Sequence, residues 1–494
     1  MKTPQPVKLG LAPTRRVIFS IEEAARQKRL IEQKLKSFGV DFANVDAVNP
    51  EGLIFSRNHV EPALEVLRRE KVDALFIPHV NFGTEDATAR LARDLGKPVL
   101  LWGPRDAAPM PDGSRDRDTQ CGLFATSKIL RRMNVPFSYI VNSSPDSPVF
   151  ERGVRNFVSA AAAVKAFRCA RIGQVSTRPA AFCTMTVNEG ELLERWGVEV
   201  VPATLSDILR SAQRMLDGDD PAVAQQVVWV RSNFVGHADE EDLKKVAAFK
   251  LALSRWAEDA DLDAIALQCW SALQLDFGIF PCFVHGLVTD EGVPIACETD
   301  IHGALASYMV QEAVARRTPI FFADLTVRHP TNENAELLWH CGPFPPSLAI
   351  PGKPKKISGH YMAGSKPPLA VGEWQVRGGD VTIARFDGDH GDYRLFLGHA
   401  AGTKGPFTRG TYLWVKVGNW PLWEQRLIEG PYVHHVICVH GHVAPALYEA
   451  CRFLGIAPDC VEPTESEIQA WLRGEPWPAP ATPAPRNKPR KRQA

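Results

Sequence analysis

The sequence has no excess of charge of either sign: 57 Lys and Arg balance 57 Asp and Glu. Such a chain exerts no bulk attraction on a polyanion, so nucleic acid is not an expected partner. It has no apolar run near the roughly 18 residues of a membrane-spanning helix, and Met-Lys-Thr-Pro-Gln-Pro at its start lacks the apolar core of a secretion signal. A cytoplasmic protein without a membrane partner is the expectation. The ten cysteines contain no C-x-x-C pair, which argues against a zinc ribbon, and disulfide scaffolds belong to far shorter secreted chains. They read as reduced packing residues. Also missing are G-x-G-x-x-G and the Walker A motif, which disfavours a dinucleotide or nucleoside-triphosphate enzyme.

What the chain does have is length and apolar content. At about 100–200 residues per domain, its 494 residues divide into two to four domains, and 45 % hydrophobic residues supply a core for each. Charged helical stretches at 21–38, 62–70 and 85–95 alternate with the apolar runs 74–77 and 99–102, which predicts a parallel sheet covered on both faces. The pattern restarts near Arg171 with strand 172–175, helix 189–196, strand 198–201, a long surface helix over 240–260 and strand 264–267. Beyond about residue 345 the composition changes. Residues 343–368 are rich in Pro, Gly and Lys, and alternating runs at 381–386, 393–397 and 411–417, separated by Gly, Asp and Asn, predict a small antiparallel barrel or sandwich. The Pro-Ala end with its basic run 488–492 cannot build a core.

The stretch 263–328 carries the most chemistry. Residues 293–297 read as a strand ending at Glu298-Thr299-Asp300, 301–315 as a helix, and 320–323 as a second strand ending at Asp324, together one βαβ unit. In open parallel sheets the binding crevice lies outside the carboxyl ends of the strands, so Glu298 and Asp324 are expected there as neighbours. Two carboxylates in a partly dry crevice repel each other unless a cation neutralises them. Oxygen ligands suit Mg2+ or Mn2+, and one imidazole shifts the preference toward Mn2+ or a similar ion. The competing reading of each acid is a helix cap or a solvated strand end.

Histidine is the second clue. His434, His435, His440 and His442 lie on or beside a β-branched run. His435 and His442 are candidates for ligand and substrate donor, against the alternative of hydrogen-bonded core residues. The segment 387–392 reads as a hairpin turn, because it lacks the Gly and terminal Glu of a calcium loop. Arg15, Arg16 and Arg178 read as members of surface ion pairs rather than as an anion site.

Three motifs, Cys297-Glu298-Thr299-Asp300, Phe322-Ala323-Asp324, and His434-His435 followed by Gly441-His442-Val443, resemble the L-fucose isomerase family and its L-arabinose isomerase relatives. Supporting matches are Gly402-Thr403-Lys404-Gly405-Pro406-Phe407-Thr408, Trp339-His340-Cys341-Gly342 and Phe82-Gly83-Thr84-Glu85. The resemblance implies two Rossmann-like parallel-sheet α/β domains followed by a C-terminal antiparallel β-barrel-like domain, in agreement with the pattern above. The expected divisions are 1–168, 169–349 with the metal-binding carboxylates, 350–475 with the ligand His, and a disordered tail at 476–494.

The resemblance also implies that Glu298, Asp324 and His435 hold Mn2+ or another divalent ion. Glu298 and Asp324 would then be the acid/base pair of an aldose–ketose isomerase working through an enediol. Gln268, Trp270, His340, Asn419, His434 and His442 are expected around a free sugar: L-fucose, D-arabinose or a 6-substituted hexose. Related isomerases form trimers or hexamers, so Asn81 and Phe82 are expected to reach a neighbouring subunit's pocket. A metal-dependent carbon–carbon lyase and a non-catalytic sugar-binding protein are the competing classes.

Overall fold

The computed structural model describes residues 6–236, 239–360 and 369–478. The basic run and the tail from residue 479 on lie outside them. Helix Ile21–Ser37 shows how local sequence sets the N-terminal elements. Ser20 accepts a hydrogen bond from Glu23 N at 3.1 Å, and acids in the first turn and lysines in the last complement the helix dipole. Such helices flank a five-stranded parallel sheet built from β1 (Lys8–Leu11), β2 (Asp41–Asn44), β3 (Ala74–Pro78), β4 (Val99–Trp102) and β5 (Ser138–Tyr139), in the order β2-β1-β3-β4-β5.

Helix Pro148–Phe167 then leaves this sheet. It buries Phe150, Val154, Phe157, Ala160 and Val164 against helices Ile301–Ala313 and Ala444–Leu454, and its Asn156 donates to the buried Glu449 carboxylate at 2.7 Å. The two α/β layers and one face of the C-terminal region therefore share one continuous core.

The second sheet is parallel and runs β7-β6-β8-β9, with β6 (Arg171–Val175), β7 (Glu199–Ala203), β8 (Ala264–Leu267) and β9 (Ile295–Cys297). The C-terminal sheet is built on β10 (Phe321–Arg328), β11 (Ala335–His340), β14 (Asp380–Asp389), β15 (Asp392–Gly402), β16 (Thr411–Lys416) and β17 (His435–His440). These six close through β16-β11-β10-β17-β14-β15 and back to β16, antiparallel throughout. Strands β12 (Lys356–Gly359), β13 (Leu369–Gln375) and β18 (Ala457–Glu462) extend the margins. No helix among the described residues is long and apolar enough to cross a membrane.

The barrel corrects one expectation. Residues 293–323 are not a βαβ unit, because β9 pairs in parallel with β8 whereas β10 pairs antiparallel with β11 and β17. Four consecutive apolar residues are buried equally well in either kind of sheet, so the run 320–323 does not reveal its partners. Asp324 thus belongs to the barrel, and β10 and β11 fall before the division expected at residue 349. The 387–392 segment is a hairpin in which Asp389 faces Asp392. His390 and Gly391 supply the positive φ angles, 47° and 82°, that a two-residue turn needs.

Candidate active site

The site forms where the second sheet abuts the barrel. At the end of β9, Glu298 and Thr299 both adopt left-handed backbone, with φ of 61° and 59°. Each such non-glycine residue costs about 1–3 kcal/mol, so the surroundings must impose the turn. Thr299 N donates to Leu267 O at 3.3 Å and Asp300 N to Cys297 O at 3.1 Å. Asp300 then caps helix Ile301–Ala313, its Oδ1 accepting from Gly303 N at 2.8 Å.

From the barrel, Asp324 on β10 and His435 on β17 are directly paired, so both side chains leave the sheet on one face. His435 Nε2 lies 3.2 Å from Glu298 Oε2 and 3.6 Å from Asp324 Oδ1. His340 Nε2 and His434 Nε2 lie 3.7 and 4.0 Å from the same Asp324 oxygen. The other ring nitrogen of His435, Nδ1, donates to Asp300 Oδ2 at 2.9 Å, which fixes the tautomer and aims Nε2 at Glu298 and Asp324.

Behind Asp300 runs a buried network. Arg385, on β14, donates from Nη2 to Asp300 Oδ1 at 3.2 Å and to Asp387 Oδ2 at 2.7 Å. Asp387 in turn meets His302 Nδ1 at 3.1 Å. Burial alone would push the Asp300 carboxyl up, but Arg385 and His435 hold it far below the usual carboxylate range. Burial also opposes charge on His435, and the Asp300, Glu298 and Asp324 carboxylates overcome it, raising its pKa to about 9. His340 is likewise lifted against burial, chiefly by Asp324, to about 10.

The donor set fits a divalent cation. Asp324 Oδ1 and His340 Nε2 are buried without a hydrogen-bond partner among the described residues, and His435 Nε2 has the Glu298 carboxylate at 3.2 Å but in poor hydrogen-bond geometry, a costly state unless something binds between them. Two ligand groups, Glu298/His434/His435 and Asp324/His340/His435, each bring their donor atoms within 4.8 Å of one another. Carboxylate oxygens with imidazole nitrogen suit Mn2+ or a similar ion, and the His435–Asp300 bond is the outer support such ligands require.

Not every expected residue comes to this group. Gln268 follows β8 and lines an adjoining cavity of about 710 Å3 together with Gln174, Thr177, Arg178, Thr186 and Thr299. Trp270 packs edge-on against Phe280 and His360. Asn419 is an exposed cap of helix Trp420–Glu429. His442 lies 3.4 Å from Asp380 and stacks on His399 at 4.4 Å, in a separate cluster. Asn81 is buried, with Oδ1 accepting from Arg16 N at 2.8 Å and Nδ2 bonding Arg16 O and Ser20 O. Phe82, half-buried, stacks on Phe19 at 5.8 Å.

Sequence reasoning missed the Arg385 network and the role of Asp300. The spacing from Asp300 to Gly303 is a helix-cap signal, but nothing local announces a guanidinium 85 residues away.

The family described as fucose/sulfoquinovose isomerase, N-terminal domain, matches residues 10–168. Over 421 residues the chain is 26 % identical to the sulfoquinovose isomerase of Priestia megaterium, covering 83 % of this chain and 90 % of that one. It is 27 % identical over 372 residues to the sulfoquinovose isomerase of Alkalicoccus urumqiensis, covering 73 % and 79 %.

Proposed function

We propose, from the likeness to fucose/sulfoquinovose isomerases, that the chain is a metal-dependent aldose–ketose isomerase of that family whose substrate is a hexose carrying a sulfonate at C6. The observation that carries the reading is the convergence of Glu298 and Asp324, from two different sheets, on His435 Nε2. The reaction moves hydrogen from C2 to C1 and a proton between O1 and O2. A divalent ion held by Glu298, Asp324 and His435 would supply Lewis acidity at those two oxygens.

Glu298 and Asp324 are the carboxylates that take and return the carbon-bound proton. His340 and His434 flank Asp324 and are placed to bond sugar hydroxyls. Phe322, edge-on to His435 at 4.9 Å, keeps water from the ring. The ten free cysteines suit a reducing compartment such as the cytoplasm. We also place the protein in a homo-oligomer. Phe82 and the exposed Val17 and Ile18 beside it supply an apolar surface for a neighbour.

The test uses Mn2+-loaded protein in D2O with 6-deoxy-6-sulfoglucose, L-fucose and D-arabinose, followed by NMR. Ketose with solvent deuterium at C1, formed fastest from the sulfonated sugar, is the expected result. Two shorter carbon fragments mark a lyase, and saturable binding without turnover marks a binding protein; either result overturns the reading.

A further inference from the structure

Two of the three basic residues singled out in the sequence are held in ion pairs, Arg15 with Glu51 at 2.5 Å and Arg16 with Glu85 at 2.8 Å. Arg178 is not. Among the described residues it has no carboxylate at ion-pair distance, and its Nη1 reaches only the carbonyls of Ala180 at 3.2 Å and Pro179 at 3.4 Å. It faces the cavity of about 710 Å3 beside the hydroxyls of Thr177 and Thr186 and the amides of Gln174 and Gln268. The only other charged side chain of that lining is Glu189, exposed at the rim.

The position of this cavity in the fold is informative. From β6 the chain passes to β7 on one side and later to β8 on the other, so the carboxyl ends of β6 and β8 form a topological switch point, where open α/β sheets bind ligands. Arg178 follows β6 and Gln268 follows β8. The Arg178 loop is also tied to the reaction centre, because Thr299, next to Glu298, donates its hydroxyl to Thr177 O at 3.3 Å.

Resting on the isomerase reading above, we propose that Arg178 binds the anionic group at C6 of the sugar and selects a singly charged one. A guanidinium offers two parallel N–H groups to two oxygens of a sulfonate. A phosphate carries about −1.5 to −2 at neutral pH, and one guanidinium opposed by the Glu189 carboxylate matches it less well. The cavity thus sorts sugars by the charge of their far end while Glu298 and Asp324 act on C1 and C2.

The experiment compares Mn2+-loaded wild type, Arg178→Ala and Arg178→Lys on 6-deoxy-6-sulfoglucose, glucose 6-phosphate and 6-deoxyglucose. Loss of a charge-assisted bond predicts that Arg178→Ala raises KM for the sulfonated sugar on the order of 10- to 100-fold with kcat changed far less. The preference for the sulfonated over the deoxy sugar falls by the same factor, and Arg178→Lys restores part of it. Equal losses on both sugars indicate a structural role and overturn the proposal, as does an unchanged sulfonate KM. Faster turnover of the phosphate ester by wild type overturns the singly charged preference. Calorimetry with the sulfonated sugar separates this proposal from the isomerase reading. If wild type turns over none of the sugars, the isomerase reading fails, while tight sulfonate binding lost in Arg178→Ala still supports the anion site and equal binding by both proteins removes it.

Discussion

At the scale of single residues, the two nitrogens of His435 do different work: Nδ1 is held by Asp300 and Nε2 faces Glu298 and Asp324. Glu298→Gln and Asp324→Asn should each lower kcat by about a thousandfold or more, since on the proposed mechanism each removes a metal ligand and a proton relay together. Near-normal kcat with metal bound, in a variant whose circular dichroism matches wild type, would count against the assignment. His435→Ala should lose Mn2+ measured by elemental analysis. His442→Ala, altered in the separate Asp380 cluster, should leave metal content and sugar KM within about twofold, contrary to what the sequence spacing suggests. The raised His435 pKa has a definite sign. An unfolded imidazole titrates near 6.5 and the folded one near 9, so in metal-free protein this contribution is complete below about pH 6.5 and is lost as pH rises through about 9. Tm of the metal-free form should therefore fall across that window. Mn2+ needs the neutral ring, so its apparent affinity should climb over the same range with proton release on binding. An affinity flat from about pH 6.5 to 9 would remove His435 from the ligand set.

At the scale of elements, β14 matters through Arg385, which fixes Asp300 and thereby aims His435. Asp300→Asn should weaken Mn2+ binding by about 10- to 100-fold with both carboxylate ligands intact. It should also lower Tm, because a buried guanidinium loses one of its two charged partners; unchanged metal affinity would assign Asp300 to the helix cap alone. The same elements show what a sequence discloses. Helices Glu85–Leu95 and Glu189–Trp196 and strands Val99–Trp102 and Ala264–Leu267 announce themselves through periodicity, caps and glycine stops, which are local. The partners of β10 do not, because a short buried run looks alike in a parallel sheet and in a barrel. That Glu298 and Asp324 belong to one region was legible, although the βαβ geometry that suggested it was wrong, and what they share is His435 Nε2. Both reach it because helix Ile301–Ala313, buried on nearly all sides, packs against both β9 and the barrel strands β14 and β17. The Arg385–Asp300 pair was illegible because its members lie 85 residues apart in sequence.

At the scale of the whole molecule, the proposed assembly makes its own prediction. Val17→Asp combined with Ile18→Asp, placed on exposed positions beside Phe82, should shift sedimentation toward monomer and reduce activity in parallel, with Tm little changed because neither side chain is in the core. A fully active wild-type monomer would contradict assembly across this surface. The barrel closure has a further consequence, for the life of the protein before it is an enzyme. Asp300 and His435 are 135 residues apart in the chain, and synthesis delivers the N-terminal part first. While the ribosome is still making β14 to β17, the emerging Glu298, Asp324 and His340 have neither His434 nor His435 beside them, so the proposed ligand set stays incomplete on the nascent chain. If the proposed metal is held there, its loading is an event of maturation that waits on the non-local pairing of β10 with β17, and a chain truncated before residue 435 should hold Mn2+ far more weakly than the full chain.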